Sequence, residues 1–311
     1  MNSNKAKIVI IAGTNASGKS GLGIELAGRS GAEIVSADSR QVFKGLDLGS
    51  GKVTKEEMKG VPHHLLDVAE PNEFFSLKDY QKLAYDAIDD ILTRGKRAYV
   101  VGGTGLYVNA IADGYVLSDA QPDPAIREKV EAMDTEELAD LIRLKAPERI
   151  AGLDLKNKRR LERAAEKVLA GAPKDLPSDP RYETLILGVT WPRDILYERI
   201  RKRLEVRLEE GLLGEVADLR KNGAEDTFLY KLGLEYRYCL MYLKGEFPDR
   251  ESFFNKLFME IRHLAKEQMT WFRKRTDIHW LDMQKDPLAE AEKLTEEFYG
   301  SHDNNRTVGF G

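Results

Sequence analysis

Cysteine is nearly absent from this sequence: Cys239 stands alone, so no disulfide can form within the chain. The five histidines are scattered, which leaves no Cys/His cluster for a structural zinc. Charge of one sign is not in excess either, since 48 Lys and Arg face 52 Asp and Glu for a net charge of -4. A globally basic nucleic-acid binder is thereby excluded, and any site for a polyanion has to be a local patch. Long apolar runs are missing too. The polar start, residues 1–7, is followed by only about six apolar residues, too few for a secretory signal core or a membrane span. A folded cytoplasmic protein, acting as a monomer without membrane attachment, is the expectation; 42% hydrophobic residues in 311 are enough for one large or two modest domains.

Residues 7–12 (KIVIIA) are continuously apolar and β-branched, as in a central parallel strand covered on both faces. Helix and strand then alternate. A helix is predicted at 21–29, a strand at 33–36, and a helix at 77–94, where Leu83, Ala84, Ala87, Ile88, Ile91 and Leu92 keep a 3.6-residue period. A strand at 97–101 and a helix at 106–112 follow. The fold class is therefore α/β with a parallel sheet.

From 119 to 181 the strand signal disappears, between Pro122 and Pro124 on one side and Pro173, Pro177 and Pro180 on the other. A small all-helical insertion is expected there, with Asp134 and Glu137 as one capping pair and Asn157 capping a helix that stops at Gly171. The core, 1–118, resumes at 182–300 with a strand at 184–190, helices at 193–210, 234–244 and 250–275, a strand at 278–281 and a helix to Tyr299; 301–311 is expected to fray.

The segment Gly13-Thr14-Asn15-Ala16-Ser17-Gly18-Lys19-Ser20 matches G-x-x-x-x-G-K-[ST] between a predicted strand and helix. Its glycines let backbone N–H groups turn onto a phosphate, the helix N-terminus and Lys19 add positive charge, and Ser20 can hold Mg2+. The ligand is a diphosphate or triphosphate; the loop does not say whether it belongs to ATP. At the carboxyl end of the next strand lie Asp38, Ser39, Arg40 and Gln41, where open α/β sheets bind ligands. Asp38 can be a metal ligand or proton acceptor there, or it can merely cap a turn. Gly102-Gly103-Thr104 ends the following strand beside the same crevice. On the helix from Arg193, the residues Arg199, Arg203 and Arg207 recur every four positions, available to a diphosphate, to RNA, or to Glu205 and Glu209. Trp271 and Phe272 read as core.

The blocks GTNASGKS (13–20), ADSRQVFKGLDLGSGK (37–52), PHHLLD (62–67), VGGTGLY (101–107), RRLERA (159–164) and LAKEQMTWFRK (264–274) resemble, in order and spacing, the tRNA dimethylallyltransferases. That resemblance implies a P-loop NTPase-like core with a tRNA-binding helical insertion. The implied reaction transfers a dimethylallyl group from dimethylallyl diphosphate to N6 of adenosine 37, in the anticodon stem-loop of tRNA. It gives the P-loop to the donor's diphosphate, with Mg2+ on Ser20. Asp38 takes the N6 proton, Thr104 lies at the reaction centre, and Arg237 neutralises the leaving diphosphate. Asp38, Ser39, Arg40, Gln41 and Thr104, with Arg127, Arg159, Arg160, Arg163 and Arg262, are the implied tRNA contacts. Two departures stand out. The loop opens Gly13-Thr14-Asn15 where the family has Gly-Pro-Thr or Gly-Ala-Thr, and Gly233-Leu234-Glu235-Tyr236-Arg237 stands where it has Gly-Tyr-Arg. A P-loop kinase, or a prenyltransferase for free adenine nucleotides, would share the loop and Asp38 but would leave the basic insertion without a use; a purely binding protein would leave the P-loop without one.

Overall fold

The computed structural model describes residues 5–117, 123–151, 153–172 and 178–300. Strand β1 (Lys7–Gly13) is buried along its whole length, because it lies between two neighbours in the sheet and has helices over both faces. Its continuous apolar run is the sequence consequence of that position. It pairs in parallel with β4 (Ala98–Gly102), Ile10 beside Val100, and with β5 (Glu183–Thr190), Ile10 beside Ile186. The six strands run in the order β3-β2-β4-β1-β5-β6, all parallel, with β2 (Glu33–Ser36), the two-residue β3 (His63–His64) and β6 (Ile278–Asp282) completing it. A parallel sheet puts the carboxyl ends of β1, β2 and β4 on one edge, where their loops meet.

The helices of this unit are α1 (Lys19–Ser30), α2 (Leu77–Thr93), α3 (Gly105–Ala112), α7 (Arg193–Glu209), α8 (Leu212–Lys221), α9 (Asp226–Leu232), α10 (Leu234–Leu243), α11 (Arg250–Phe272) and α12 (Pro287–Gly300). Ser76 and Asp79 close a capping box on α2, and Asp249 caps α11 through the Ser252 N–H. The apolar line expected on α7 is real: Leu196, Ile200, Leu204 and Leu208 are buried in the cluster shared with α8 to α11. Helices α8 and α9 and strand β3 have no clear signal in the sequence pattern. The two helices are short pieces set off by Gly211, Gly223 and Gly233, and β3 makes only two register pairs within a polar stretch. Among the described residues no helix is long and apolar enough to cross a membrane.

The chain divides into two compact units, Met1–Gly114 with Pro180–Gly311, and Tyr115–Asp179. The start expected at 119, the prolines at 122, 173 and 177, and the tail 301–311 lie outside the described residues. The second unit contains α4 (Pro124–Glu131), α5 (Thr135–Lys145) and α6 (Lys158–Leu169) around a small core of Val130, Leu138, Ala139, Ile142, Leu161 and Ala165. Its caps follow the sequence signals: Asp134 and Glu137 form a capping box, and Asn157 accepts from the Arg160 N–H.

The candidate active site at the carboxyl edge of the sheet

The loop from Gly13 to Ser20 leaves β1 through a bend that only small residues permit. A Cβ on Gly13 would lie 2.5 Å from Val189 Cγ2 and 2.8 Å from Ser17 Oγ, while Ala16 and Gly18 take left-handed conformations with φ of 59° and 88°. Helix α7 and a tryptophan just before it hold the outward carbonyls. Arg199 Nε donates to the Ala16 carbonyl at 2.9 Å, and the Trp191 indole N–H donates to the Ser17 carbonyl at 2.8 Å, with the Arg199 guanidinium stacked 4.6 Å from the Trp191 ring. With those carbonyls tied outward, the amides at the start of α1 are left for an anion.

A cavity of about 720 Å³ opens beside this loop, lined by residues 16–21, part of the segment 47–54, and Arg199, Lys202, Arg203 and Arg207 of α7. Burial pushes the Lys19 ammonium down to about 8, against the pull of the nearby Asp38 carboxylate, and Arg203 and Arg207 push the same way as burial. Arg203 is lowered to about 9, again chiefly by burial and then by Arg207. Its side chain makes no hydrogen bond or ion pair among the described residues. Arg207 is buried, 3.7 Å from the Glu235 carboxylate, and its Nη1 reaches the Gly49 carbonyl at 3.5 Å. Gly51, with φ 65°, leaves room for Arg207, since a Cβ there would sit 1.8 Å from Arg207 Nη2 in its present place. So many cations crowded together raise the free energy of the site in proportion to their mutual repulsion, and an anion with several charges relieves it.

The adjoining loop carries the predicted carboxylate. Asp38 Oδ1 accepts from the Arg40 N–H at 2.9 Å, so the turn-capping reading is correct for one oxygen; Oδ2 makes no hydrogen bond among the described residues. Thr104 Oγ1 accepts from the Ser39 N–H at 3.0 Å, and the Thr104 N–H donates to the Ala37 carbonyl at 3.1 Å. Gly102 permits that approach: a Cβ on it would come within 2.1 Å of the Ala37 carbonyl oxygen. Ser36 Oγ donates to Gln41 Oε1 at 3.0 Å, and Gln41 Nε2 donates to the Gly51 carbonyl at 3.2 Å. Arg40 reaches Ser39 Oγ and lies against Gly233. Lys19, Ser20, Asp38, Ser39, Arg40, Gln41 and Thr104 thus belong to one set of interlocked loops.

Arg237 does not join them. Its Nε donates to the Tyr230 carbonyl at 2.8 Å and its guanidinium lies 4.7 Å over the Tyr230 ring, away from the cavity lining. Arg203 and Arg207 line the cavity, and their four-residue spacing is visible in the sequence without its direction being decidable; the arginine near Glu205 is Arg201, at 4.0 Å. Arg262 stacks 4.0 Å over the Tyr197 ring and is not part of the cavity. Phe272 is fully buried as expected, but Trp271 is 36% exposed with its indole packed on Gly105. Gln268, to which the sequence alone assigns no role, accepts from the Asn15 N–H at 2.9 Å and donates to the Gly103 carbonyl at 3.0 Å.

In the helical unit, Arg149, Asn157, Arg159, Arg160, Arg163 and Lys167 line a concavity of about 520 Å³. Arg163 pairs with Glu166 at 2.8 Å and Arg127 with the same carboxylate at 3.2 Å, while Arg159 and Arg160 are exposed without an ion pair among the described residues. Among the described residues no group of three or more His, Cys, Asp and Glu side chains could hold a metal ion. A cation held partly by a bound phosphate needs fewer protein ligands, and Ser20, at the head of α1 in the cavity lining, has a hydroxyl with no hydrogen bond among the described residues.

Parallel sheet, P-loop and inserted helices define a P-loop α/β protein with an accessory helical unit. Within that class, the IPP transferase family matches residues 41–275, and the chain belongs to it. It is similar to tRNA dimethylallyltransferase 2 of Citrifermentans bemidjiense, 41% identical over 292 residues that cover 92% of this chain and 94% of the relative. The tRNA dimethylallyltransferase of Bacillus subtilis is 37% identical over 303 residues, 94% of this chain and 96% of the relative. Among solved structures, the full-length tRNA isopentenylpyrophosphate transferase of Bacillus halodurans superposes with a TM-score of 0.71 at 36% identity, covering 96% of both chains. A eukaryotic dimethylallyltransferase acting on tRNA shares the fold, with a TM-score of 0.80 at 24% identity, covering 95% of this chain and 80% of that one.

Proposed function

We propose that the protein transfers a dimethylallyl group from dimethylallyl diphosphate to N6 of adenosine 37 in tRNA. The observation that carries this reading is the pairing of a cation-lined cavity with a carboxylate in the adjoining loop, Lys19 and Arg203 each within electrostatic reach of Asp38, with Arg207 next to both cations. N6 attacks the allylic C1, the C1–O bond breaks, its electron pair leaves with the diphosphate, and Asp38 accepts the N6 proton. Negative charge grows on the leaving group, so donors already fixed around it lower the barrier. Lys19 and the P-loop amides bind the diphosphate, Arg203 and Arg207 meet its growing charge, and Arg199 holds the loop in shape. Ser20 is the residue that would hold Mg2+. Bound there, the cation would supply charge neutralisation of the leaving group.

Thr104 and Ser39 form the wall next to Asp38 where the extruded adenine is read, with Arg40 and Gln41 alongside. Drawing a base from the anticodon-loop stack costs roughly a few kcal/mol. The tRNA backbone is met by the unpaired arginines of the helical unit, Arg159 and Arg160, with Arg163 and Arg127 sharing Glu166. The test is incubation of the protein with Mg2+, labelled dimethylallyl diphosphate and either unmodified tRNA or AMP, without ATP. Label in an A37-containing anticodon stem-loop supports the reading. Label only in AMP replaces it with a free-nucleotide prenyltransferase, and phosphate transfer from ATP with no prenyl transfer replaces it with a kinase.

A further inference from the structure

Gln268 interrupts an otherwise apolar face. Along α11 the buried residues Leu257, Ile261, Ala265 and Phe272 recur at helical spacing, and the position between the last two is Gln268. Gln268 itself is half-buried, and a polar side chain in line with the core positions of a helix calls for a reason beyond packing. Here both halves of its amide are used on backbone groups of two different loops. Oε1 accepts from Asn15 in the loop that follows β1, and Nε2 donates to the carbonyl of Gly103, immediately before Thr104. Gly103 is itself confined: a Cβ on it would lie 3.0 Å from the Gly13 carbonyl oxygen, 3.1 Å from Gln268 Nε2 and 3.3 Å from Lys19 Cε. One side chain therefore ties the loop that holds the diphosphate to the turn that carries Thr104.

We infer that Gln268 is a positioning residue of the prenyl transfer, setting the distance between the donor loop and the acceptor wall; this rests on the function proposed above. Misplacement of reacting groups by about 1 Å can cost roughly 100-fold in rate. A group that sets such a distance acts on kcat, while the sites for each substrate alone stay intact.

Two variants separate this from mere packing. Gln268→Met keeps the volume and loses both hydrogen bonds; Gln268→Glu keeps the acceptor for Asn15 and, when ionised, turns a second carboxylate oxygen on the Gly103 carbonyl. Wild type and both variants are assayed for transfer to an anticodon stem-loop from pH 5.5 to 8, with melting temperatures and inorganic diphosphate affinity measured alongside. The expected result is a kcat loss of about 10- to 100-fold in both variants near pH 7.5, with KM for each substrate and diphosphate affinity within twofold of wild type. As pH falls, the ratio of Gln268→Glu to wild type rises, because the protonated carboxyl can donate to Gly103 again, whereas the ratio for Gln268→Met stays flat. Unchanged kcat, a flat ratio for Gln268→Glu, or losses that follow the melting temperature or diphosphate affinity overturn the inference. Absence of prenyl transfer by the wild type itself overturns the functional reading and the inference with it; wild-type transfer together with any of the former results overturns the inference alone.

Discussion

Ser39 and Thr104 are joined twice, by the Ser39 N–H donating to Thr104 Oγ1 at 3.0 Å and by the Thr104 hydroxyl donating to Ser39 Oγ at 3.3 Å. The first bond fixes the backbone next to Asp38, and the second orients two hydroxyls toward each other. Thr104→Val keeps the shape and removes the acceptor, leaving the Ser39 N–H without its partner at a cost of about 1–3 kcal/mol. The expected outcome is a kcat lower by about 10- to 100-fold with donor KM unchanged, and near wild-type kcat for Thr104→Ser. Steady-state kinetics on an anticodon stem-loop checks both; equal kcat for Thr104→Val and wild type would remove Thr104 from the site.

Arg203 and Arg237 are both candidates for the departing diphosphate, and their surroundings separate them. Arg203 lines the cavity with no protein partner among the described residues, whereas Arg237 is spent on the Tyr230 carbonyl and ring. Arg203→Gln is expected to lower kcat/KM for the donor by about 100-fold. Arg237→Gln should cost only about 0.5–1 kcal/mol of stability, since its stacking on the Tyr230 ring disappears, with kcat/KM near that of wild type. The reverse pattern would return the role to Arg237.

What is legible in the sequence follows from how local each signal is. The P-loop is eight consecutive residues whose pattern, with a left-handed Gly18 opening α1, is readable without the distant partners that tie it, Arg199, Trp191 and Gln268. The strands β1, β4 and β5 announce themselves because burial on both faces demands apolar residues throughout. The direction of Arg203 and Arg207 is not readable, since it depends on how α7 packs beside a loop far earlier in the chain, a distance that the Arg199 bond to Ala16 already spans at 183 residues. Gln268 offers a weak signal, a polar residue in an apolar face, but nothing local names Asn15 and Gly103 as its partners. Arg237 shows the converse: a remote pattern selects it, while in the fold its guanidinium is held by the Tyr230 carbonyl and ring.

Lys19 is expected to make the proposed diphosphate site pH-sensitive. Burial lowers it to about 8 in the free protein, so it is charged below that pH and neutral above. Bound diphosphate favours the charged form, and its dissociation constant should therefore rise as pH increases beyond about 8, with Arg203, lowered to about 9, adding to the rise. The stability of the free protein moves the other way: between about 8 and the ordinary lysine value of 10.5 the unfolded chain binds more protons than the folded one, so this group's contribution to stability rises with pH. Lys19→Met should accordingly melt no lower than wild type at about pH 7 while losing prenyl transfer. Calorimetric titration with inorganic diphosphate from about pH 6.5 to 9.5, and melting curves over the same range, check the two slopes; a dissociation constant that does not change with pH would mean that Lys19 does not meet the diphosphate.

The helical unit sorts its arginines by whether a carboxylate already holds them. Glu166 is shared by Arg127 and Arg163, while Arg159 and Arg160 are exposed on α6 with no ion pair among the described residues. Only an unpaired cation releases its full share of counterions when it meets a phosphate, because a paired one first gives up its partner. Arg159→Gln with Arg160→Gln is expected to weaken tRNA binding and to reduce the slope of log affinity against log salt by about 0.7–0.9 for each phosphate no longer neutralised. Arg127→Gln should change that slope less, and should also loosen α4 from α6, which the Arg127 to Glu166 pair spans at 3.2 Å. Binding of an unmodified anticodon stem-loop measured at several salt concentrations distinguishes the two. A slope that stays at the wild-type value in the Arg159 and Arg160 double variant would take α6 out of the RNA interface, and the basic concavity would then need another occupant.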